Sequence, residues 1–244
     1  LTYFPFYNTF KHIISGSFAV VVGSLLNSEE QLEKKPENTK QSNMDAALKV
    51  AKEEFARRDP KEMAEKAGGE HESASCANSL ISLRLLGQEY TLHHPDGGIE
   101  SPDHHQVGLV AHILLLHYLL YASGKPLSCE LFSYKDIPGG YIYFNVFKKR
   151  VEAPLLNAYG DNPEGFEKAC EGSGGLEVPM GDMAYQFQAF PNIPITYIYW
   201  NGDEEFPASV QVLFDSSIKD YLPLEDIVFL SEMLSWKLAR LKGV

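Results

Sequence analysis

Two strand-like runs separated by an acidic insertion constrain this chain more than any other stretch. Ile195 to Trp200 and Ser209 to Phe214 each read as a β-strand, and Asn201-Gly202 between them supplies two residues tolerant of positive φ. The pair is therefore expected to fold back as an antiparallel hairpin. Asp203, Glu204, Glu205, Phe206 and Pro207 bulge out between that turn and the second strand. Three consecutive carboxylates repel one another and need water or a counter-charge to be tolerated. Flanking Trp200 and Phe206, with Pro207 stiffening the exit, offer a rigid apolar setting in which such carboxylates are held in a chosen geometry.

The same stretch leads into a last helix. Pro223, Glu225 and Asp226 mark its start, Lys237, Arg240 and Lys242 suit its end, and Ile227, Leu230, Leu234, Leu238 and Leu241 form its buried stripe. Earlier, Met44, Ala47, Leu48, Ala51 and Phe55 line one face of a first amphipathic helix, and Asp59-Pro60 to Gly68-Gly69 bound a short second one. Ser79 to Leu86 and Gln88 to His93 read as a tight hairpin turning at Gly87.

Ser101-Pro102-Asp103 predicts the start of a helix reaching Ser123, and its interior, VGLVAHILLLHYLLYA, is apolar nearly all round, as a central core helix must be. Leu127 to Tyr134 suits a strand, YIYFNVF after Pro138-Gly139-Gly140 suits helix or strand alike, and Asn162-Pro163-Glu164 caps a helix to about Glu171. Alternation through Met183, Tyr185, Phe187 and Ala189 marks a half-buried antiparallel strand, and Pro191 to Pro194 turns the chain into Ile195. Together these segments predict an α+β fold, an antiparallel sheet packed against the buried central helix and the terminal helices.

Charge narrows the partners. A net charge of −12 and a pI near 5.1 argue against duplex nucleic acid or an anionic membrane, both of which need a basic footprint, and suit a small molecule, a cation or a basic protein partner. Residues 1–43 stand apart, with an apolar run from Ile13 to Leu26 that is short of the roughly 20 residues a membrane span needs, then a polar stretch to Asn43. The segment is expected to lie outside the fold, with residues 44–244 forming one cytoplasmic domain. Cys76, Cys129 and Cys170 are odd in number and widely spaced, which points to reduced thiols rather than a disulfide framework or a metal cluster.

Six of the eight histidines fall between His93 and His117, and the stretch His93 to His105 also carries Asp96, Glu100 and Asp103. None of these histidines has the helical i, i+4 spacing of a zincin motif, so the stretch is read as a solvated, mobile loop and no metal is expected. Pro138-Gly139-Gly140 is read as a plain turn rather than an anion cradle. His117, on the apolar helix, is expected to be a core histidine bonded to a neighbour, with a ligand or general-base role as the less favoured reading.

Two function classes follow. In the first, Asp203, Glu204, Glu205 and Asp215 engage a cation, a cofactor of unknown identity or a basic partner, without catalysis. In the second, a carboxylate pair performs acid and base work assisted by His117 or Tyr221. The sequence displays the acids but no electrophile or oxyanion donor, which favours binding.

LLGQEYTL, ILLLHYLL with the downstream GKPL, FSYKDIPGG, the GD of MGDMAYQF and YWNGDEEFPASVQVLFDSSIKDYLPLEDI together resemble the DUF3786 family, a domain of unknown function, over nearly all of residues 44–244. Some relatives carry an N-terminal cysteine-rich iron–sulfur module, so the resemblance implies anaerobic redox or metal-cofactor metabolism. Residues 1–43 hold no cysteine, and Cys129 stands where the resemblance leads one to expect glycine, as a core filler.

Overall fold

The computed structural model describes residues 37–75 and 78–242. The apolar run Ile13 to Leu26 and Cys76 lie outside the described residues. Helix α1 (Glu37–Phe55) begins seven residues before Met44, so part of the polar stretch expected to be linker is helical. Helix α2 (Pro60–Ala67) has the predicted caps: the Asp59 side chain accepts from the Glu62 amide, and Gly68 closes the helix at φ 69°.

A first antiparallel meander follows, β1 (Glu70–Ser73), β2 (Ser79–Leu85), β3 (Gln88–His94) and β4 (Gly98–Glu100), in the order β1-β2-β3-β4. Leu86 and Gly87 both adopt positive φ in the β2–β3 turn, the geometry a two-residue hairpin requires. Ile81, Leu83 and Leu85 face the core together. Part of the histidine-rich stretch is thus sheet rather than loop: His93 pairs with Gly98 and His94 meets the Phe55 ring edge-on at 5.2 Å, while residues 101–105 lie outside any strand and His112 Nε2, from the following helix, contacts the Gly97 carbonyl at 2.8 Å.

Helix α3 (Leu109–Tyr121) starts eight residues after Ser101, not at it. Ser101 Oγ donates to the His105 carbonyl instead of capping a helix, and His104, at φ 52°, closes a turn on the Ser101 carbonyl. Once begun, α3 is buried through Ala111 and Ile113 to Leu119, as its sequence demands. Tyr118 ties it to its surroundings, donating to the Ala67 carbonyl, accepting from the Asn192 amide and stacking on Phe190 at 4.1 Å.

The expected strand from Leu127 shortens to β5 (Leu131–Ser133). Asp215 captures the Ser128 and Cys129 amides, and Cys129 adopts φ 61°, so the chain there is bent away from a ladder. Cys129 is exposed rather than a core filler, in a backbone conformation that favours glycine, whereas Cys170 is buried.

The ambiguous aromatic run forms helix α4 (Gly140–Phe147), continued by a π-turn (Lys148–Glu152) into α5 (Ala153–Tyr159). Pro154, in the first turn of α5, lacks the amide that an unbroken α-helix would use. Gly140 is required: a Cβ there would stand 1.9 Å from the Tyr134 carbonyl. Helix α6 (Pro163–Gly172) is capped by Asn162, as predicted.

The second sheet contains β6 (Leu176–Glu177), β7 (Met183–Phe190), β8 (Ile193–Trp200) and β9 (Ser209–Asp215), with strand order β5-β9-β8-β7-β6, antiparallel throughout. Strand β8 begins at Ile193, so Pro194 lies inside it rather than in the turn. Helix α7 (Leu224–Ala239) covers this sheet, fastened by the Tyr197 hydroxyl, which donates to the Ser231 carbonyl at 2.9 Å. The two sheets meet where the Leu86 amide donates to the Ala189 carbonyl. The result is α+β, with two antiparallel sheets in place of the expected one.

Candidate functional site

Residues 201–208 form one eight-residue loop between β8 and β9, rather than an Asn-Gly turn with a bulge after it. Asp203 organises it. Its Oδ1 accepts from the Glu205 amide (2.8 Å) and the Phe206 amide (2.7 Å), while its own amide donates to the Phe206 carbonyl (2.8 Å). Gly202 serves close approach, not positive φ: a Cβ there would lie 2.7 Å from the Ala208 amide nitrogen. The GD of MGDMAYQF braces the other end, as Asp182 Oδ2 accepts from the Asn201 amide at 2.8 Å.

With Asp203 committed to the loop, Glu204, Glu205 and Phe206 stand exposed beside partly exposed Trp200. Among the described residues the Glu204 and Glu205 side chains have no ion-pair partner.

Asp215 does not join them. It lies at the far end of β9, roughly 20 Å away by the rise of an extended strand. Its carboxylate is buried and accepts from the Ser128 amide and hydroxyl, the Cys129 amide and the Ser217 amide, at 2.7 to 2.9 Å. Burial alone would raise its pKa, but bonds from Ser217 and Ser128 overcome this and hold it at about 2. Asp215 is a fastener between β9 and the segment before β5. Tyr221 is another, since its buried hydroxyl donates to the Lys125 carbonyl.

His117 belongs to a second cluster. Its Nδ1 donates to Asp226 Oδ2 at 2.6 Å, both groups are buried, and the bond locks α3 to the first turn of α7. Such a bond fixes the tautomer and orientation of the imidazole. Beside Asp226, Glu225 is half-buried; burial, then the Asp226 charge, push its carboxyl up to about 7 against the lowering effect of His117. The Tyr134 hydroxyl is fully buried and without a hydrogen-bond partner among the described residues, and burial first, then Glu225, raise its pKa. FSYKDIPGG, ILLLHYLL and LPLEDI thus each contribute one corner of this cluster.

From the sequence, Glu225 and Asp226 only mark the start of the last helix, where acids complement its N-terminus. The i, i+1 pair at the start of an apolar helix was the available signal, because adjacent positions point about 100° apart and so need not both face solvent. Among the described residues no group of three or more His, Cys, Asp or Glu side chains is placed to hold a metal ion. Two shallow clefts, one lined by Met44, Leu109, Val110 and Met233 and one by Tyr159, Asn162, Glu164 and Lys168, include no residue of either cluster.

Residues 59–236 match the family model described as Domain of unknown function (DUF3786). The chain belongs to the DUF3786 family. The DUF3786 region starts at the cap of α2 and ends inside α7, so it contains both sheets, the braced acidic loop and the His117–Asp226 pair, and leaves α1 outside. No curated protein and no solved structure matches the chain. No helix among the described residues is long and apolar enough to cross a membrane.

Proposed function

We propose that this DUF3786 chain is a binding or accessory protein whose acidic loop engages a basic partner surface. One observation carries the reading: Asp203 is spent on bracing the loop, which leaves Glu204, Glu205 and the Phe206 ring presented to solvent from a backbone already held in place. Preformed presentation lowers the ordering cost of association, and an aromatic flanked by charges is the composition of an interface anchor. The anaerobic redox or metal-cofactor setting implied by the family resemblance is part of this proposal, with the partner a component of such a system.

Lys/Arg-rich peptides with and without a central aromatic residue provide the test. The full chain should bind the aromatic set, and Glu204→Gln/Glu205→Gln should weaken binding about tenfold while changing stability by less than about 1 kcal/mol, the scale of exposed charges. Equal binding by wild type and variant would overturn the proposal.

A second reading, acid–base chemistry by the Glu225–Asp226 pair with His117, draws on the buried His117–Asp226 bond and the neighbouring carboxyl raised to about 7. It requires that Glu225 exchange its proton near neutrality.

A further inference from the structure

Helix α4 presents apolar side chains to solvent in a way its sequence neighbours do not explain. Tyr141 is 80% exposed and Ile142 74% exposed, although the opposite face of the same helix, through Gly140 and Phe147, is buried in the core. Tyr134 stacks on Phe147 at 4.4 Å and Phe147 meets Phe214 edge-on at 6.1 Å, so the inner face is fully engaged and the outer one is a separate surface. By helical spacing Tyr141, Phe144 and Lys148 form one stripe, and Ile142, Asn145 and Lys149 the next.

The charge of this face is opposite to that of the molecule. Residues 131–150 contain Lys135, Lys148, Lys149 and Arg150 against Asp136 alone, in a chain with 33 acidic and 21 basic residues. Lys135 and Lys148 each hold an ammonium 5.9 Å from the Phe144 ring centre, which places both cations at the edge of the apolar stripe. Arg150 is spent elsewhere, bonded to Glu232 and stacked on Phe229 at 4.7 Å. Lys148 also lies 4.0 Å from Glu152. The available surface is therefore Tyr141, Ile142 and Phe144 flanked by three exposed lysines.

Such a surface suits a projecting element with two carboxylates and an aromatic ring. The acidic loop of the same chain has that chemistry in Glu204, Glu205 and Phe206, exposed and braced. We propose that the α4 face is the docking surface for the 201–208 loop of a second copy of this chain. This deepens the proposed function and rests on it, naming the basic partner as another copy. Unlike surfaces meet, and when two copies exchange them reciprocally about a two-fold axis the pair of contacts is isologous and closes into a dimer. The net charge of −12 opposes association at long range, and the local attraction acts within the Debye length of about 8 Å at physiological ionic strength.

Sedimentation equilibrium of the full chain across a concentration series at physiological ionic strength tests the contact. Wild type should self-associate reversibly. Lys148→Glu/Lys149→Glu and Glu204→Lys/Glu205→Lys should each weaken self-association at least about tenfold, and an equimolar mixture of the two should restore it. Overall repulsion cannot imitate this pattern, because the first variant moves the net charge from −12 to −16 and the second from −12 to −8, yet both must weaken association. Ile142→Ser, which removes the apolar contact and leaves every charge in place, should weaken it comparably. A chain that stays monomeric overturns the inference, as does association indifferent to either reversal. Peptide binding through Glu204 and Glu205 is read separately, so a monomer that still binds basic aromatic peptides rejects the second copy and retains the proposed function.

Discussion

The His117–Asp226 bond fastens α3 to the first turn of α7 through two buried side chains. It joins residues 109 apart in sequence, and both ionisable groups are out of water. Glu225, next to it, bears a cost that depends on pH. Its folded pKa, about 7, lies above the ordinary 4.5, so the folded state holds a proton that the unfolded state releases. Stability from this group is full below pH 4.5 and is lost as pH rises through about 7. Glu152, raised to about 7 by burial despite Lys148, acts in the same window and sense. A carboxyl-carbon NMR titration should therefore place the Glu225 midpoint near 7, and Glu225→Gln should flatten the fall in melting temperature between pH 5 and 8. A midpoint in the ordinary carboxylate range would remove the acid–base reading.

At the scale of elements, Asp215 shows how a candidate site residue becomes a structural one. Four donor groups from Ser128, Cys129 and Ser217 converge on its carboxylate, so Asp215→Ala leaves the buried Ser217 amide and the part-buried Ser128 and Cys129 amides without this acceptor. The expected loss is about 3 kcal/mol by chemical denaturation, since each orphaned buried donor costs on the order of 1–3 kcal/mol; a loss under about 0.5 kcal/mol would show the contact to be idle.

The same bonds explain what the sequence could and could not disclose. Strands β7, β8 and β9, the caps of α2 and α6 and the inner stripe of α7 were legible because periodicity and cap residues act locally. The start of α3 was misplaced because Ser101-Pro102-Asp103 has the composition of a helix start but its serine bonds to the His105 carbonyl. The shortened β5 and the exposed Cys129 follow from Asp215, 86 residues downstream of Cys129, which no local pattern announces. Likewise the acids of the loop were visible, but the division of labour between bracing Asp203 and presented Glu204 and Glu205 is a matter of backbone geometry.

Across the whole molecule, rigidity and exposure are distributed unevenly. Buried tyrosines pin the layers together: Tyr118 to the α2 end and the β7–β8 turn, Tyr197 to α7, and Tyr199 to the carbonyls of Tyr159 and Gly160. On that scaffold the exposed apolar side chains include Phe206 on the acidic loop and Tyr141 and Ile142 on the basic α4 face, in a chain of net charge −12. In the proposed function the loop is the working edge, and the His117 cluster is the competing site within the same fold. Amide chemical-shift mapping during titration with a basic aromatic peptide separates them most directly. Perturbations should concentrate in residues 201–208 with Trp200 and Asp182; perturbations centred on His117, Tyr134 and Glu225 with a silent loop would contradict the proposed function.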